Sequence, residues 1–335
     1  MGLVYHNGRF IPEEQIQKST DAAHVLRLLR SFLDANEPGL VRILLNTFRS
    51  QGKAITYKEL REAILAGDIS QEWLEDWIQD YARFVSKELQ PAWEKAIKAA
   101  VEELERKYPT FLFDPMAESV RSWVETRAAE FVTNVTQAQI EGLRAVVQRA
   151  AVLEDLTVVE LAKAIRPMVG LTVQASNIVM NYYETLRKNG VSEKRALDKT
   201  IRYASRKHRD RAYLIARTEL ATAYNRGAHE GTKQAQAAGM IGKCVKVWCT
   251  ADDERVCKTV CLPLDNTEWV MDADITYEYT YKKKKETVTR RINHSMDDPG
   301  AGKHPPAHPG CRCAVMYVEK YQTKTLKNEI SNQKS

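Results

Sequence analysis

Two cysteine pairs and one histidine carry most of the chemistry this chain could do. Cys257 and Cys261 are three residues apart in between, Cys311 and Cys313 one, and the pairs lie about fifty residues from each other. His308 stands three positions before Cys311, in the run Pro305-Pro306-Ala307-His308-Pro309-Gly310-Cys311-Arg312-Cys313. A tetrahedral zinc ion takes four soft or borderline donors, and two short loops from separate segments supply them well. Such an ion would staple a module too small to hold a good core of its own. The C-x-C spacing is tighter than the usual C-x₂-C, so His308 is a candidate replacement for one thiolate. Three other readings stand beside it: a buried thiol–imidazole cluster without metal, a disulfide formed outside a reducing compartment, and a catalytic site. A catalytic metal would want an open position and a general base, for which the turn Asp252-Asp253-Glu254 is the candidate. A nucleophilic cysteine would need a depressed pKa and an orienting partner. Cys244 and Cys249 read as ordinary strand residues, since cysteine is often a small buried hydrophobe.

Basic side chains form the second group of candidates. Between Lys194 and Arg211 eight Lys/Arg face two acids, Asp198 and Asp210, a local excess equal to the +6 of the whole chain. Within it Arg195, Lys199, Arg202, Arg206 and Arg209 recur at helical spacing and fall on one side of a helix. Leu197, Ile201, Ala204, Ala212 and Ile215 recur on the other and are expected to face the core. A further patch is Lys282-Lys283-Lys284-Lys285 with Arg290 and Arg291. Like-charge clusters usually face solvent, often toward a polyanion, so these eleven residues are the candidates for DNA phosphates. The alternative is a solvated surface helix and a solubilising loop.

The elements that must position these groups change character along the chain. The first ~240 residues read as successive helices. Thr56–Glu59 and Thr157–Glu160 fit capping boxes, Thr172 caps a helix ending at Asn189-Gly190, and Ser192 is a candidate N-cap for the helix carrying the basic stripe. Trp73, Trp77, Tyr81 and Phe84 mark an amphipathic helix running to Leu89 before Pro91; Trp93, Ile97 and Val101 mark the next. Phe111-Leu112-Phe113-Asp114-Pro115 reads as a hinge with exposed aromatics. After Gly239 the residues become β-prone, and Ile275–Ile292 reads as a hairpin with the four lysines at its tip. The expected architecture is mainly α with a small C-terminal α+β module: an N-terminal helical lobe at 1–110, a central helical region at 111–240, a Cys/His module with a basic hairpin at 241–320, and a polar tail at 321–335. With 44% apolar residues a sizeable core is expected. The lack of an apolar run of ~18 residues argues against a membrane span, and a polar start argues against a secretory leader. All six cysteines fall between positions 244 and 313, and in the cytoplasm-like compartment expected here such clustering points to metal before disulfide.

Three pieces, in order, resemble one family: the Mu F-like minor head proteins of tailed phages, also called head-morphogenesis proteins. They are Ala216-Arg217-Thr218-Glu219 with Ala223-Tyr224-Asn225-Arg226-Gly227; Val247-Trp248-Cys249 through Cys257, followed by Cys261-Leu262-Pro263-Leu264; and the Pro305–Cys313 run. The likeness extends from about Glu184 to Val318, with the upstream helices similar in style only. It implies a low-copy, non-enzymatic assembly protein of the virion, inside the capsid near the portal vertex after assembly in the host cytoplasm. Its implied partners are the portal protein, the major capsid or scaffolding protein, and double-stranded DNA bound without sequence preference. It also implies a metal site, carried over to Cys257, Cys261, His308, Cys311 and Cys313, with zinc the candidate ion. The chain departs from the common pattern in a lysine-rich insertion between the cysteine pairs, and in Asp265-Asn266 where relatives tend to have glycine.

Beside the resemblance, Arg217, Glu219 and Asn225 need partners if buried. Arg217 and Glu219 are expected to anchor the loops of the cysteine module, with Arg312 the candidate partner of Glu219. The rival functions are a metal-dependent phage enzyme, of nuclease or toxin type, using His308 and the Asp252–Glu254 turn, and a zinc-containing DNA-binding factor. Against the latter, no helix-turn-helix or finger spacing is present.

Overall fold

The computed structural model describes residues 3–6, 9–251, 253–283, 286–293 and 303–320. Lys284, Lys285, Asp252 and the expected tail lie outside the described residues, as do the side chains of Lys282, Lys283, Arg290 and Arg291. The chain is mainly helical with a small C-terminal sheet, as its patterning predicts. A hairpin of β1 (Leu3–His6) and β2 (Arg9–Pro12) leads into α1 (Glu13–Ala54). Then come α2 (Tyr57–Ala66), α3 (Gln71–Phe84), α4 (Gln90–Lys107), α5 (Glu118–Ala151), α6 (Val158–Ile165), α7 (Val173–Lys188) and α8 (Glu193–Ala237).

Local chemistry sets several of these boundaries. Thr56 and Glu59, and again Thr157 and Glu160, exchange side-chain and backbone hydrogen bonds as reciprocal capping boxes at α2 and α6. Thr172 accepts from the Ala175 N–H at the start of α7. Ser192 stands at the start of α8 without a side-chain cap bond. The helix expected to stop before Pro91 does not stop. A π-helical turn at Val85–Leu89 joins α3 to α4 and carries the chain past the proline. Proline cannot donate to the carbonyl four residues back and its ring crowds it, and a wider turn relieves both.

The helices share one core. Trp73, Trp77, Tyr81, Trp93, Trp123, Phe131 and Leu220 belong to a single buried cluster, so helices on both sides of residue 110 pack together. The segment expected to be a hinge is fixed in place. Phe111 is buried against Val101 and Ala235, and the backbone of Asp114 is paired with the Gln234 carboxamide at 2.7 and 3.0 Å. Of that segment's apolar side chains only Leu112 stands out in solvent.

The 45-residue α8 is the axis of the molecule, about 67 Å long at 1.5 Å per residue. Its first half is amphipathic: Ala196, Thr200, Ala204 and Ala212 are buried, while Arg195, Lys199, Arg202, Arg206 and Arg209 are exposed. Ile201, expected to face the core, is exposed instead, because the buried stripe follows the small residues at 196, 200 and 204. From Glu219 to Asn225 every residue is buried, so the helix passes there through the interior. Small residues permit it. A Cβ on Gly227 would stand 2.5 Å from the Ile97 carbonyl oxygen, so α4 crosses α8 where only glycine fits.

After α8 come β3 (Cys244–Cys249), α9 (Cys261–Leu264), β4 (Glu268–Val270), β5 (Thr276–Lys283), β6 (Glu286–Asn293) and β7 (Ala314–Glu319). β4, β3 and β7 form an antiparallel sheet in that order. Alternation along β3 sends Val247 and Cys249 into the helical core with Ala314 and Met316, and Trp248 to the opposite face, against Cys261, Cys311 and Cys313. The sheet is therefore covered on both faces. β5 and β6 pair in register from Thr276↔Asn293 to Lys283↔Glu286, which gives the expected hairpin, with Lys282 and Lys283 in the last pairs of β5. Among the described residues no helix is long and apolar enough to cross a membrane.

Candidate metal centre

The two cysteine pairs meet. Cys257, Cys261 and His308 place their ligand atoms within 4.8 Å of one another, as do Cys261, Cys311 and Cys313. Cys261 belongs to both groups. Its Sγ lies 3.2 Å from His308 Nε2 and 3.7 Å from Cys311 Sγ. Two thiolates bound to one tetrahedral zinc at about 2.3 Å stand about 3.8 Å apart, so this spacing fits shared ligation. It is far longer than an S–S bond of about 2.05 Å. All six cysteines are free thiols.

Each donor is positioned by a local device. A turn after β3 brings Cys257 to the first residues of α9, where its carbonyl accepts from the Leu262 N–H at 3.0 Å. The loop closes through Asn266, whose φ of 60° is left-handed; glycine adopts that region without cost, and asparagine is among the few other residues that visit it. Asp265 accepts from the Thr250 N–H at 2.9 Å, and Asn266 N–H donates to the Trp248 carbonyl at 2.8 Å, tying the loop back to β3. On the other side, Gly310 turns with φ 75° and donates its N–H to Thr218 Oγ1 of α8 at 2.9 Å. His308 Nδ1 lies 3.0 Å from the Pro309 carbonyl. A carbonyl only accepts, so Nδ1 is the donor there, and a neutral ring held this way turns its Nε2 lone pair to Cys261, the tautomer a metal ligand requires.

The three buried thiols perturb one another. Cys261, Cys311 and Cys313 are each about 2% exposed. Hydrogen bonds from Cys261 and Cys313 hold the Cys311 thiol well below the ordinary range, against the opposing effect of burial. The same contacts push Cys261 and Cys313 up. A metal ion takes cysteine as thiolate, so binding at these thiols would be coupled to proton release. These Cys/His groups can hold a metal ion.

The surrounding charges differ from expectation at one pair. Arg312 is bound in bidentate fashion by Asp253, at 2.5 and 2.6 Å, and not by Glu219. The Arg312 guanidinium holds the Asp253 carboxyl down at about 2. Both oxygens of Asp253, the middle acid of the expected general-base turn, are therefore engaged by an arginine. Glu219 is bound instead by Arg127 of α5 at 3.0 and 2.6 Å, and Arg217 by Glu37 of α1 at 2.7 Å twice. Neither anchors the cysteine loops; two residues apart on α8, they diverge by about 200° and reach helices on opposite sides. Asn225 and Thr218 do the anchoring. Asn225 donates to the Cys313 carbonyl at 3.3 Å and accepts from the Val315 N–H at 2.9 Å.

One cluster had no signal in the sequence reading. Lys246, on the face of β3 beside Trp248, is fully buried and donates to the Ala273 carbonyl. Burial, aided by Lys303, lowers its pKa to about 8. Nearby, Asp272 Oδ1 lies 3.2 Å from Lys233, 3.7 Å from His229 and 3.8 Å from Lys303. The alternating Val-Lys-Val-Trp pattern reads as a strand with one wet face, and only the packing shows that both faces are covered. The candidate DNA residues on α8 all reach solvent. No protein family model, curated protein or solved structure matches this chain.

Proposed function

We propose that this protein is a minor head-morphogenesis protein of a tailed phage, an assembly component of the Mu F-like kind without catalytic activity. One observation carries the reading: the three sequence pieces that resemble that family, far apart in the chain, converge on one unit. The Asn225 segment of α8 holds the backbone at Cys313 and Val315, β3 pairs with β7, and Cys261 meets His308 and Cys311. On this reading a structural zinc ion, held by Cys257, Cys261, His308 and Cys311 with Cys313 beside them, fastens the C-terminal module to the helical body. The ion supplies a cross-link and no reaction step.

The long helical body docks on the portal or inner shell, with the portal protein and the major capsid or scaffolding protein as partners. The exposed stripe Arg195, Lys199, Arg202, Arg206 and Arg209, with the lysine-tipped hairpin, contacts duplex DNA phosphates without reading sequence. The protein acts in assembly, packaging or genome delivery, within the capsid near the portal. Mass spectrometry of purified proheads and virions tests this. The chain should be present in low copy and co-purify with the portal protein; its absence from both particles contradicts the assignment.

A further inference from the structure

The four clustered thiols differ in access. Cys257 is half-buried and reaches the surface, whereas Cys261, Cys311 and Cys313 are enclosed. Cys261 stands between the accessible thiol and the buried Cys311, within 4.8 Å of Cys257 Sγ and 3.7 Å from Cys311 Sγ. Beside Cys261, at 3.2 Å, is Nε2 of His308.

We propose that this cluster is an oxidative modification site in which Cys257 receives the oxidant and Cys261 relays the oxidation inward, ending in a Cys261–Cys311 disulfide. With a peroxide as oxidant the steps balance. The Cys257 sulfur attacks a peroxide oxygen, the O–O bond breaks, and the departing oxygen leaves as water with the thiol proton, giving Cys257 sulfenic acid. Cys261 sulfur then attacks Cys257 sulfur; the S–O bond breaks, and the hydroxide leaves as water with the Cys261 proton. Cys311 sulfur attacks Cys261 sulfur and expels the Cys257 sulfur, which regains a proton as a thiol. Two thiols are oxidised by two electrons in all, and one peroxide becomes two waters.

The end state follows from chain geometry. Cys311 and Cys313 are two apart on an extended run, near the upper limit of disulfide reach. A Cys261–Cys311 bond joins loops already in contact and closes about fifty residues, which restricts the unfolded chain more than a bond within either pair. The module would then be fastened covalently in an oxidising medium, where thiols no longer serve as metal ligands. The exchange uses the thiols alone and does not depend on the assembly reading.

The test is hydrogen peroxide treatment of the full-length chain after metal removal by chelator, quenched by alkylation and mapped by mass spectrometry without reduction. The wild-type chain should yield a peptide cross-linked from Cys261 to Cys311, with Cys257 alkylated. Cys257→Ser should reach the same bridge at least about tenfold more slowly, and Cys311→Ser should stop at a Cys257–Cys261 bridge. Circular dichroism checks that each variant is folded, and Cys257→Ser keeps the size of a side chain that only partly packs on the buried trio. A wild-type end product other than Cys261–Cys311, no bridge at all, or an unslowed Cys257→Ser overturns the proposal. A parallel arm on zinc-loaded protein, with a chromogenic chelator reading released metal, separates this from the metal reading. Metal-free protein that oxidises as stated while binding no zinc upholds the relay and removes the ion.

Discussion

Asn225 does for β7 what a neighbouring strand would do. Its carboxamide accepts from the Val315 N–H and donates to the Cys313 carbonyl, two groups on the edge of β7 turned away from β3. Both sites are buried, so Asn225→Ala leaves a backbone donor without a partner, a loss of about 2 kcal/mol. Asn225→Asp keeps the acceptor but buries a carboxylate against the Ala221 and Cys313 carbonyls, and should cost at least as much; denaturant midpoints measure both. Glu219 is a second buried group with one dedicated partner, Arg127, and their side chains are 6% and 11% exposed. Glu219→Ala removes both hydrogen bonds that the Arg127 guanidinium makes to it, leaving Glu130 at 3.7 Å, and should destabilise by about 2 kcal/mol. A shift within error of wild type would place that pair among solvent-screened bridges. Acid sensitivity also belongs here. His208, donating to the Pro167 carbonyl, is pushed down to about 4 by burial, and His229 is driven well below its ordinary value by burial first and His304 next. Unfolded histidines take up protons near pH 6.5 while these two refuse, so stability falls as pH drops from about 6.5 to about 4. The slope approaches about 1.4 kcal/mol per pH unit for each histidine. Urea midpoints at pH 7 and pH 5 should differ more for wild type than for His208→Gln.

Among the elements, α8 carries both proposed activities: the basic stripe on its first half and the anchors of the cysteine module on its second. Its first half was legible, because an exposed charged face opposite small apolar residues leaves a period of 3.6 in the sequence. Its second half was not. Residues 219 to 225 are buried all round, so no polar face marks the helix's orientation, and the bonding directions of Arg217 and Glu219 were set by helices not yet placed. The same limit explains Pro91, where a local rule predicts a stop and tertiary packing keeps the helix going through a wider turn. Gly227 is explained by the crossing itself: Gly227→Ala drives a methyl into the α4 backbone at Ile97 and should separate the two helices, costing about 1–3 kcal/mol by overpacking. The stripe has its own test. Changing Arg202, Arg206 and Arg209 together to Glu should weaken duplex binding and flatten its salt dependence, since fewer counterions are released. Filter retention that is insensitive to those changes, or unchanged between about 50 and about 200 mM salt, argues that the stripe only solvates the helix.

The molecule as a whole is a helical body with a small sheet laid against it, covered on its outer face by the cysteine loops. The cluster was legible, because residue type and spacing draw attention to Cys257, Cys261, His308, Cys311 and Cys313. The framework that brings them together was not: Thr218, Asn225 and Asp253 act through contacts 59 to 92 residues distant in the chain. An ion bound there joins segments about fifty residues apart, so removing it should loosen the sheet's outer cover before the helical core. The most direct test is the zinc content of the full-length chain, purified without added metal and measured by plasma mass spectrometry beside Cys261→Ser. The account predicts about one ion per wild-type chain and background in the variant, with the helical circular dichroism of the body retained in both. Wild-type protein holding no more zinc than Cys261→Ser would contradict it.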